Sequence, residues 1–382
     1  MCRYNCGCIR AAAVAVLSAS LLIAGCSQHR DDEGQRGLAD RSDVRIGFSM
    51  DSFVVERWQR DRDAFLKAAG SHGAQVLLRT ANENVEVQRR QLNELAQSGI
   101  DVLVVVPNDS EALSDTIEQI RNRGIPVLAY DRLVRNTPID GYISFDNQGI
   151  GATMAEMVVE AGQEAAAAQK ADVAGQNAAA RDTPIQLLVI NGAVSDYNSY
   201  MINRGIVTAL RPYIERGQVR LLDNLWLQAW RNEEAREAIE DGFARFDHID
   251  GVVAANDLIA DAVVHAAAVR GLAGRLQVSG MDGDLAAVQR VAEGTQLMTI
   301  YKPVEELAAQ ALDTAVQLAH GRELATGELI FNGSVEVPFI KLNPVTVTRD
   351  TIMETVIADG FHRWEDVYRN VSPDQRPPSP AE

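Results

Sequence analysis

Val102–Asn108 reads VLVVVPN: five apolar residues in succession, closed by Pro107 and Asn108. A half-buried strand alternates apolar and polar residues, whereas a strand apolar at every position is covered on both faces. The neighbouring segments supply such covers. Val85–Ser98 and Ser110–Arg123, before and after the run, carry apolar residues at helical spacing, and Gly99 and Gly124 close them. Further out lie strands at Ala74–Ala81 and Pro126–Arg132. A helix at Val54–His72 has Phe65, Leu66 and Ala69 among its apolar positions, and a first strand runs over Val44–Met50. After Asp140–Asn147 (DGYISFDN) the pattern restarts, with strands at Ile185–Gly192, Val219–Trp226, Gly251–Asp257 and Leu276–Asp282 separated by helices. The reading is an α/β protein of two doubly wound parallel-sheet lobes. Its 382 residues suit two domains.

The ends of the chain read differently. Arg3 and Arg10 precede an apolar run from Ala11 to Ile23, which is short for a membrane span. The run ends in Leu22-Ile23-Ala24-Gly25-Cys26, which resembles a bacterial lipobox, with small residues before a thiol able to accept a lipid. Residues 1–25 are therefore expected to be a signal peptide, and Cys26 the lipidation site of an exported, periplasmic or cell-surface protein. Residues 26–43 are a polar tether. The four cysteines are Cys2, Cys6, Cys8 and Cys26, so the folded part has neither a disulfide framework nor a thiolate metal site. Residues 161–183, rich in Ala and Gln, read as an extended helix end and a mobile insertion. The proline-rich 372–382 reads as a disordered tail. A net charge of −17 argues against nucleic acid, whose phosphates need a basic footprint.

Ligands of open parallel sheets bind beyond the carboxyl ends of the strands, so the residues at those ends are the candidates. They are Arg57 and Trp58 after the first strand, Asp131 and Arg132 after VLAY, and Asp196 and Asn198 after LLVING. Asn256 and Asp257 follow VVAA, Asp282 follows LQVSGM, Lys302 follows LMTIY, and Trp226 and Trp230 follow VRLLDNLW. Planar Asp, Asn and Arg groups can each serve two sugar hydroxyls, and indoles suit the apolar faces of a sugar ring. Opposite charges balance, so a neutral ligand leaves no net charge buried. Taken singly, each residue reads as well as a turn or helix cap, Asp257, Asp284 and Asn147 in particular. Trp226 reads also as core, and Arg57 as one more charge on a solvated helix face. The recurrence at strand after strand carries the site reading.

These segments resemble the type I periplasmic binding protein family, and within it the group that binds D-xylose for ABC transporters. The resemblance runs from Val44 to about His362. It is carried by VERWQRDRDAF (55–65), GIDVLVVVPND (99–109), VLAYDRL (127–133), YISFDN (142–147), VVAAND (252–257), SGMDGDLAAVQRVAEGTQLMTIYKP (279–303) and VIADGFH (356–362). It implies two doubly wound lobes joined by a hinge. Crossings are expected near Asp146, Tyr301 and Gly321, giving an N-terminal lobe of 44–146 and 302–321 and a C-terminal lobe of 147–301 and 322–371. It implies a sugar shell of Arg57, Trp58, Asp131, Arg132, Asp196, Asn198, Trp230, Asn256, Asp282 and Lys302. It further implies D-xylose as ligand, ligand-driven closure, a membrane permease as partner, a monomer, and no cofactor. The loop around Asp196 and Asn198 and the stretch 161–183 depart from the family pattern.

Other classes fit less well. No nucleophile–base constellation, phosphate loop or paired-histidine metal motif occurs, so an enzyme is not expected. Asp282-Gly283-Asp284 opens like a calcium loop, but Ala286 stands at the next ligand position. A sugar-responsive repressor would carry a basic DNA-binding helix pair where this chain carries an export signal. A lipid-anchored sensor presenting sugar to a chemoreceptor or histidine kinase would use the same closure as a transport protein, and remains the alternative to transport.

Overall fold

The computed structural model describes residues 44–173 and 183–380. The expected signal peptide, Cys26, the tether and part of the Ala/Gln-rich insertion lie outside them. The first lobe opens with β1 (Arg45–Met50), α1 (Arg57–Ser71), β2 (Gln75–Thr80), α2 (Val85–Gln97), β3 (Val102–Val105), α3 (Ser114–Arg121), β4 (Val127–Tyr130) and β5 (Gly141–Phe145). The second holds α4 (Asn147–Val173), β6 (Ile185–Ala193), α5 (Tyr197–Glu215), β7 (Val219–Leu227), α6 (Asn232–Arg245), β8 (Gly251–Ala254), α7 (Asp257–Val269), β9 (Gln277–Val278), α8 (Leu285–Glu293) and β10 (Thr299–Tyr301). The chain then returns to the first lobe through α9 (Val304–Ala319), β11 (Glu328–Phe331) and β12 (Glu336–Leu342). It ends in the second with β13 (Val345–Val347) and α10 (Trp364–Val367).

The apolar run at 102–106 behaves as its composition demands. Val102, Val104 and Val106 point into the core shared with α1 and α9, while Leu103 and Val105 enter a second core under α2 and α3. All five are fully buried, and each such side chain contributes roughly 1.5–3 kcal/mol relative to exposure. The first sheet has the order β11-β12-β5-β4-β3-β1-β2, parallel except for β11. The second has β7-β6-β8-β9, all parallel. Backbone bonds from Leu297 to Val278 and from Asp282 to Ile300 carry β10 alongside it, and β10 pairs antiparallel with β13.

The chain passes to the second sheet after β5 and back to α9 and the first sheet after β10. The third crossing does not fall at Gly321. Gly321 (φ 68°) ends α9, but the chain stays in the first lobe, where β12 pairs with β5 from Phe339–Tyr142 to Leu342–Phe145. This pairing covers the free edge of β5, and the crossing follows Leu342, so 322–342 belongs to the first lobe. The expected disordered tail is also partly structured: Pro373–Gln375 forms a 3-10 turn, and Arg376 donates to the carbonyls of Val371 and Arg369 at 2.7 and 3.1 Å.

Candidate ligand site between the lobes

Arg57 and Trp58 occupy the first turn of α1, just beyond the loop that leaves β1. A buried guanidinium must be paired, and Arg57 is only 2% exposed. Its Nε and Nη2 donate to the two carboxylate oxygens of Asp61, one turn on, at 3.0 and 2.9 Å, and its Nη1 to Asp131 Oδ2 at 2.7 Å. The Tyr130 hydroxyl donates to Asp61 at 2.7 Å. Burial opposes the charge on Arg57, but Asp131 and Asp61 outweigh it and hold the guanidinium above its ordinary range. Burial likewise opposes the charge on Asp131, yet Arg57 and Lys302 bring its carboxyl below the usual range.

Asp131 leaves β4 at φ 60°, a left-handed conformation for a non-glycine residue. Arg132, next in the chain, donates to Asp51 Oδ2 at 2.8 Å and to the Pro107 carbonyl at 3.3 Å. Its Nε lies 2.8 Å from Asp196 Oδ2 in the second lobe. Both guanidinium groups lie over Trp58, 4.6 and 5.4 Å from its ring centre.

The second lobe contributes its own strand ends. Asp196 caps α5, accepting the Asn198 amide at 2.9 Å on Oδ1, while Oδ2 takes the Trp230 indole N–H at 3.1 Å. Trp230 lies against Gly192, where an added Cβ would stand 2.0 Å from the ring, so only glycine leaves room. Asn256 caps α7 through the Ile259 amide at 3.0 Å and reaches Asp282 Oδ2 at 3.4 Å. Lys302 Nζ lies 3.5 Å from Asp282 Oδ1.

All ten residues predicted for the sugar shell line one cavity, with Val55 and Met281 added. About 320 Å³ of space free of protein atoms lies within it, the solvent at its mouth included. Arg57, Arg132 and Lys302 oppose Asp131, Asp196 and Asp282, three charges of each sign. Among the described residues nothing takes the Nη2 hydrogens of Arg132, Lys302 has Asp282 as its one ion-pair partner, and Asp282 has only the two long contacts above. The wall therefore offers both donors and acceptors.

The alternatives for single residues resolve unevenly. Arg57 is not a solvated charge. Trp226 stands apart from the cavity, packed on Tyr200 at 4.7 Å between ring centres. Asn147 is not the cap of α4, since Asp146 accepts the Gly149 amide at 3.0 Å. Asp284 makes no side-chain cap bond. Asp257 lies behind Asp282, its carboxylate taking Gln296 Nε2, Thr299 Oγ1 and the Asp284 amide at 3.0, 2.8 and 3.0 Å. Burial, against Arg290 and with Asp282, pushes its carboxyl up to about 7. Asp51 and Asp61, which hold the two arginines from behind, escape the sequence reading. Asp51 directly follows β1 and Asp61 lies four residues from Arg57 on one helix, so both signals exist in the chain.

The family model for the periplasmic binding protein domain matches residues 46–323. The D-xylose-binding periplasmic protein of Escherichia coli is 36% identical over 326 residues, 85% of this chain and 93% of that protein. Its Haemophilus influenzae counterpart is 35% identical over 331 residues, 86% and 94% of the two chains. Among solved structures, a carbohydrate transporter solute binding protein from Chloroflexus aurantiacus in complex with D-glucose superimposes with a TM-score of 0.75. It is 26% identical and covers 85% of this chain and 98% of that one.

Proposed function

This chain belongs to the periplasmic binding protein family, and from that premise we propose that it captures a pentose, D-xylose first, and delivers it to an ABC transporter permease. The carrying observation is the cavity wall: balanced charge, unspent donors and acceptors, and two indoles, Trp58 and Trp230. A neutral polyhydroxylated ring fits that chemistry, because each hydroxyl both donates and accepts. Arg57, Arg132, Asn256, Lys302, Asp131 and Asp282 meet the hydroxyls, and the indoles flank the ring. Asp196 and Asn198 complete the shell from the second lobe by holding Arg132 and Asp131. The relatives named for D-xylose favour the pentose.

The shell draws on both lobes, so a bound sugar gains contacts in the closed form that the open form lacks. That difference in affinity drives closure. Acylation at Cys26 would keep the protein, as a monomer, at the membrane surface beside the permease.

Calorimetry with D-xylose, D-ribose, L-arabinose, D-glucose and D-galactose tests the proposal. D-xylose is expected to bind tightest, because the C5 hydroxymethyl of a hexose would strand a polar wall group, and stranded polar groups discriminate strongly. Glucose or galactose binding as tightly as xylose would remove the pentose assignment. Binding of none of the five would remove sugar capture itself.

A further inference from the structure

Asp131 is where the site meets the segment that crosses between lobes. Its carbonyl oxygen accepts from three side chains: Ser144 Oγ at 2.7 Å, the Tyr142 hydroxyl at 2.9 Å and Asn198 Nδ2 at 3.1 Å. Ser144 and Tyr142 stand on β5 of the first lobe, and Asn198 in the first turn of α5 of the second. All are buried. A carbonyl has two lone pairs, so three converging donors exceed what satisfaction requires and fix its direction.

Asn198 has little left for a ligand. Its Nδ2 also reaches Asp131 Oδ1 at 3.2 Å, while its Oδ1 accepts from Asn147 Nδ2 at 3.2 Å and faces the Tyr142 hydroxyl at 3.4 Å. A carboxamide offers two donors and two lone pairs: Asp131 takes the donors, Asn147 fills one lone pair, and the other faces the Tyr142 oxygen, whose hydrogen goes to the Asp131 carbonyl. Asn147 opens α4, directly after the crossing, and bonds Ser144 Oγ at 3.4 Å. Tyr142, Ser144 and Asn147 are not among the residues that line the cavity.

We propose that Tyr142, Ser144 and Asn198 are positioning residues that form a clasp across the lobes around the Asp131 carbonyl. Tyr142 and Ser144 hold the carbonyl from the first lobe, and Asn198 grips it from the second on closure. Asp131 is thereby locked in the left-handed conformation that aims its carboxylate at Arg57 and the ligand. The inference rests on the sugar-capture reading and assigns Asn198 an action through Asp131 rather than through a sugar hydroxyl. The Asn198 contact forms only on closure and depends on the carbonyl direction that Tyr142 and Ser144 set, so loss of either hydroxyl weakens the closed form, quickening release and leaving encounter unchanged.

Rapid-mixing fluorescence of the full chain with D-xylose, D-ribose and L-arabinose separates the two rates. Tyr142→Phe keeps the ring stacked on Phe339, 4.8 Å away, and removes only the hydroxyl. It is expected to raise the off-rate about two- to tenfold, the worth of one hydrogen bond, with the on-rate within twofold of wild type. The factor should be the same for every sugar bound, and Ser144→Ala should act likewise. Off-rates unchanged in both variants, or a loss confined to sugars sharing one hydroxyl, would overturn the clasp while leaving sugar capture standing. Wild-type protein that binds none of the sugars would instead overturn the reading on which the clasp rests.

Discussion

Asp131 and Asp282 hold φ angles of 60° and 106° without being glycine. Such conformations cost of order 1–3 kcal/mol for a residue with a Cβ and persist where the side chain is needed. Each lies at a strand end with its backbone N–H bonded to the neighbouring strand, Asp131 to Ile143 and Asp282 to Ile300, both at 2.8 Å. Asp282→Asn keeps the shape and the tolerance of positive φ but removes the charge facing Lys302, which is 3% exposed. Hydrogen bonds to charged groups are worth about 1.5–3 kcal/mol, so sugar affinity should fall about tenfold to a hundredfold, with the melting temperature shifted by only a few degrees. Calorimetry on a variant with a native melting profile decides it, and affinity within twofold of wild type would demote Asp282 to a turn residue. These positions were legible because side chains at the carboxyl edge of a parallel sheet face the crevice whatever the sequence between them. Asp61 carried the signal of its four-residue spacing from Arg57, but such a pair reads as a solvated surface pair, and its burial with Tyr130 is a property of the folded lobe.

Among the elements, α4 and α5 pack backbone to backbone. A Cβ at Gly151 would lie 2.0 Å from the Ile202 carbonyl oxygen, and one at Gly205 equally close to that of Gln148. This approach fixes Asn147 and Asn198, near the starts of the two helices, in one rigid body. Gly151→Ala must push the helices apart. Overpacking of this kind costs about 1–3 kcal/mol or more, which corresponds to a melting temperature lower by roughly 1–5 °C for a chain of this size. Gly70→Ala in α1, where nothing lies within 4 Å of the added Cβ, should be neutral or slightly stabilising, since alanine is the better helix former. Equal melting temperatures for the two variants would remove the close-packing account. The central strands were readable because burial on both faces leaves a run such as 102–106 with no polar residue. The β11–β12 hairpin was not. Its strands are only partly apolar, and the edge that β12 joins is decided by the open flank of β5, a property of the folded sheet rather than of the segment.

At the scale of the whole molecule, the lobes meet through the site and also outside it, and one of the outer contacts can titrate. Arg60 of α1 donates to the Phe361 carbonyl at 2.9 Å, lies over the Phe361 ring, and approaches His362 Nδ1 at 3.5 Å. His362 Nε2 lies 2.7 Å from the carbonyl of Gly283, the residue after Asp282. A carbonyl only accepts, so Nε2 carries the hydrogen and Nδ1 stays bare toward Arg60. Burial lowers the His362 pKa and Arg60 lowers it further, against the Gly283 bond and the more distant Glu56 and Asp366. Opening the lobes withdraws Arg60 and admits water, which returns the ring toward its ordinary value near 6.5. The closed form therefore binds fewer protons than the open one. Closure is unaffected well above pH 6.5 and loses free energy as the pH falls through that value, levelling off below the depressed closed-form pKa. Asp284 works in the opposite sense: burial, then Asp257 and Asp282, and then Glu56 of the first lobe raise its carboxyl pKa, so the part due to Glu56 favours closure in acid. A His362→Gln variant, which can keep the donor to Gly283 without titrating, separates the two. Wild-type sugar affinity is expected to fall between pH 7.5 and 5.5 by up to about tenfold, the limit set by one proton over one pH unit below 6.5. The variant should lose that slope and show only the shallower, opposite trend of the carboxylates. Parallel pH profiles for the two proteins, measured by calorimetry in buffers of matched ionisation enthalpy, would mean that His362 does not sense closure.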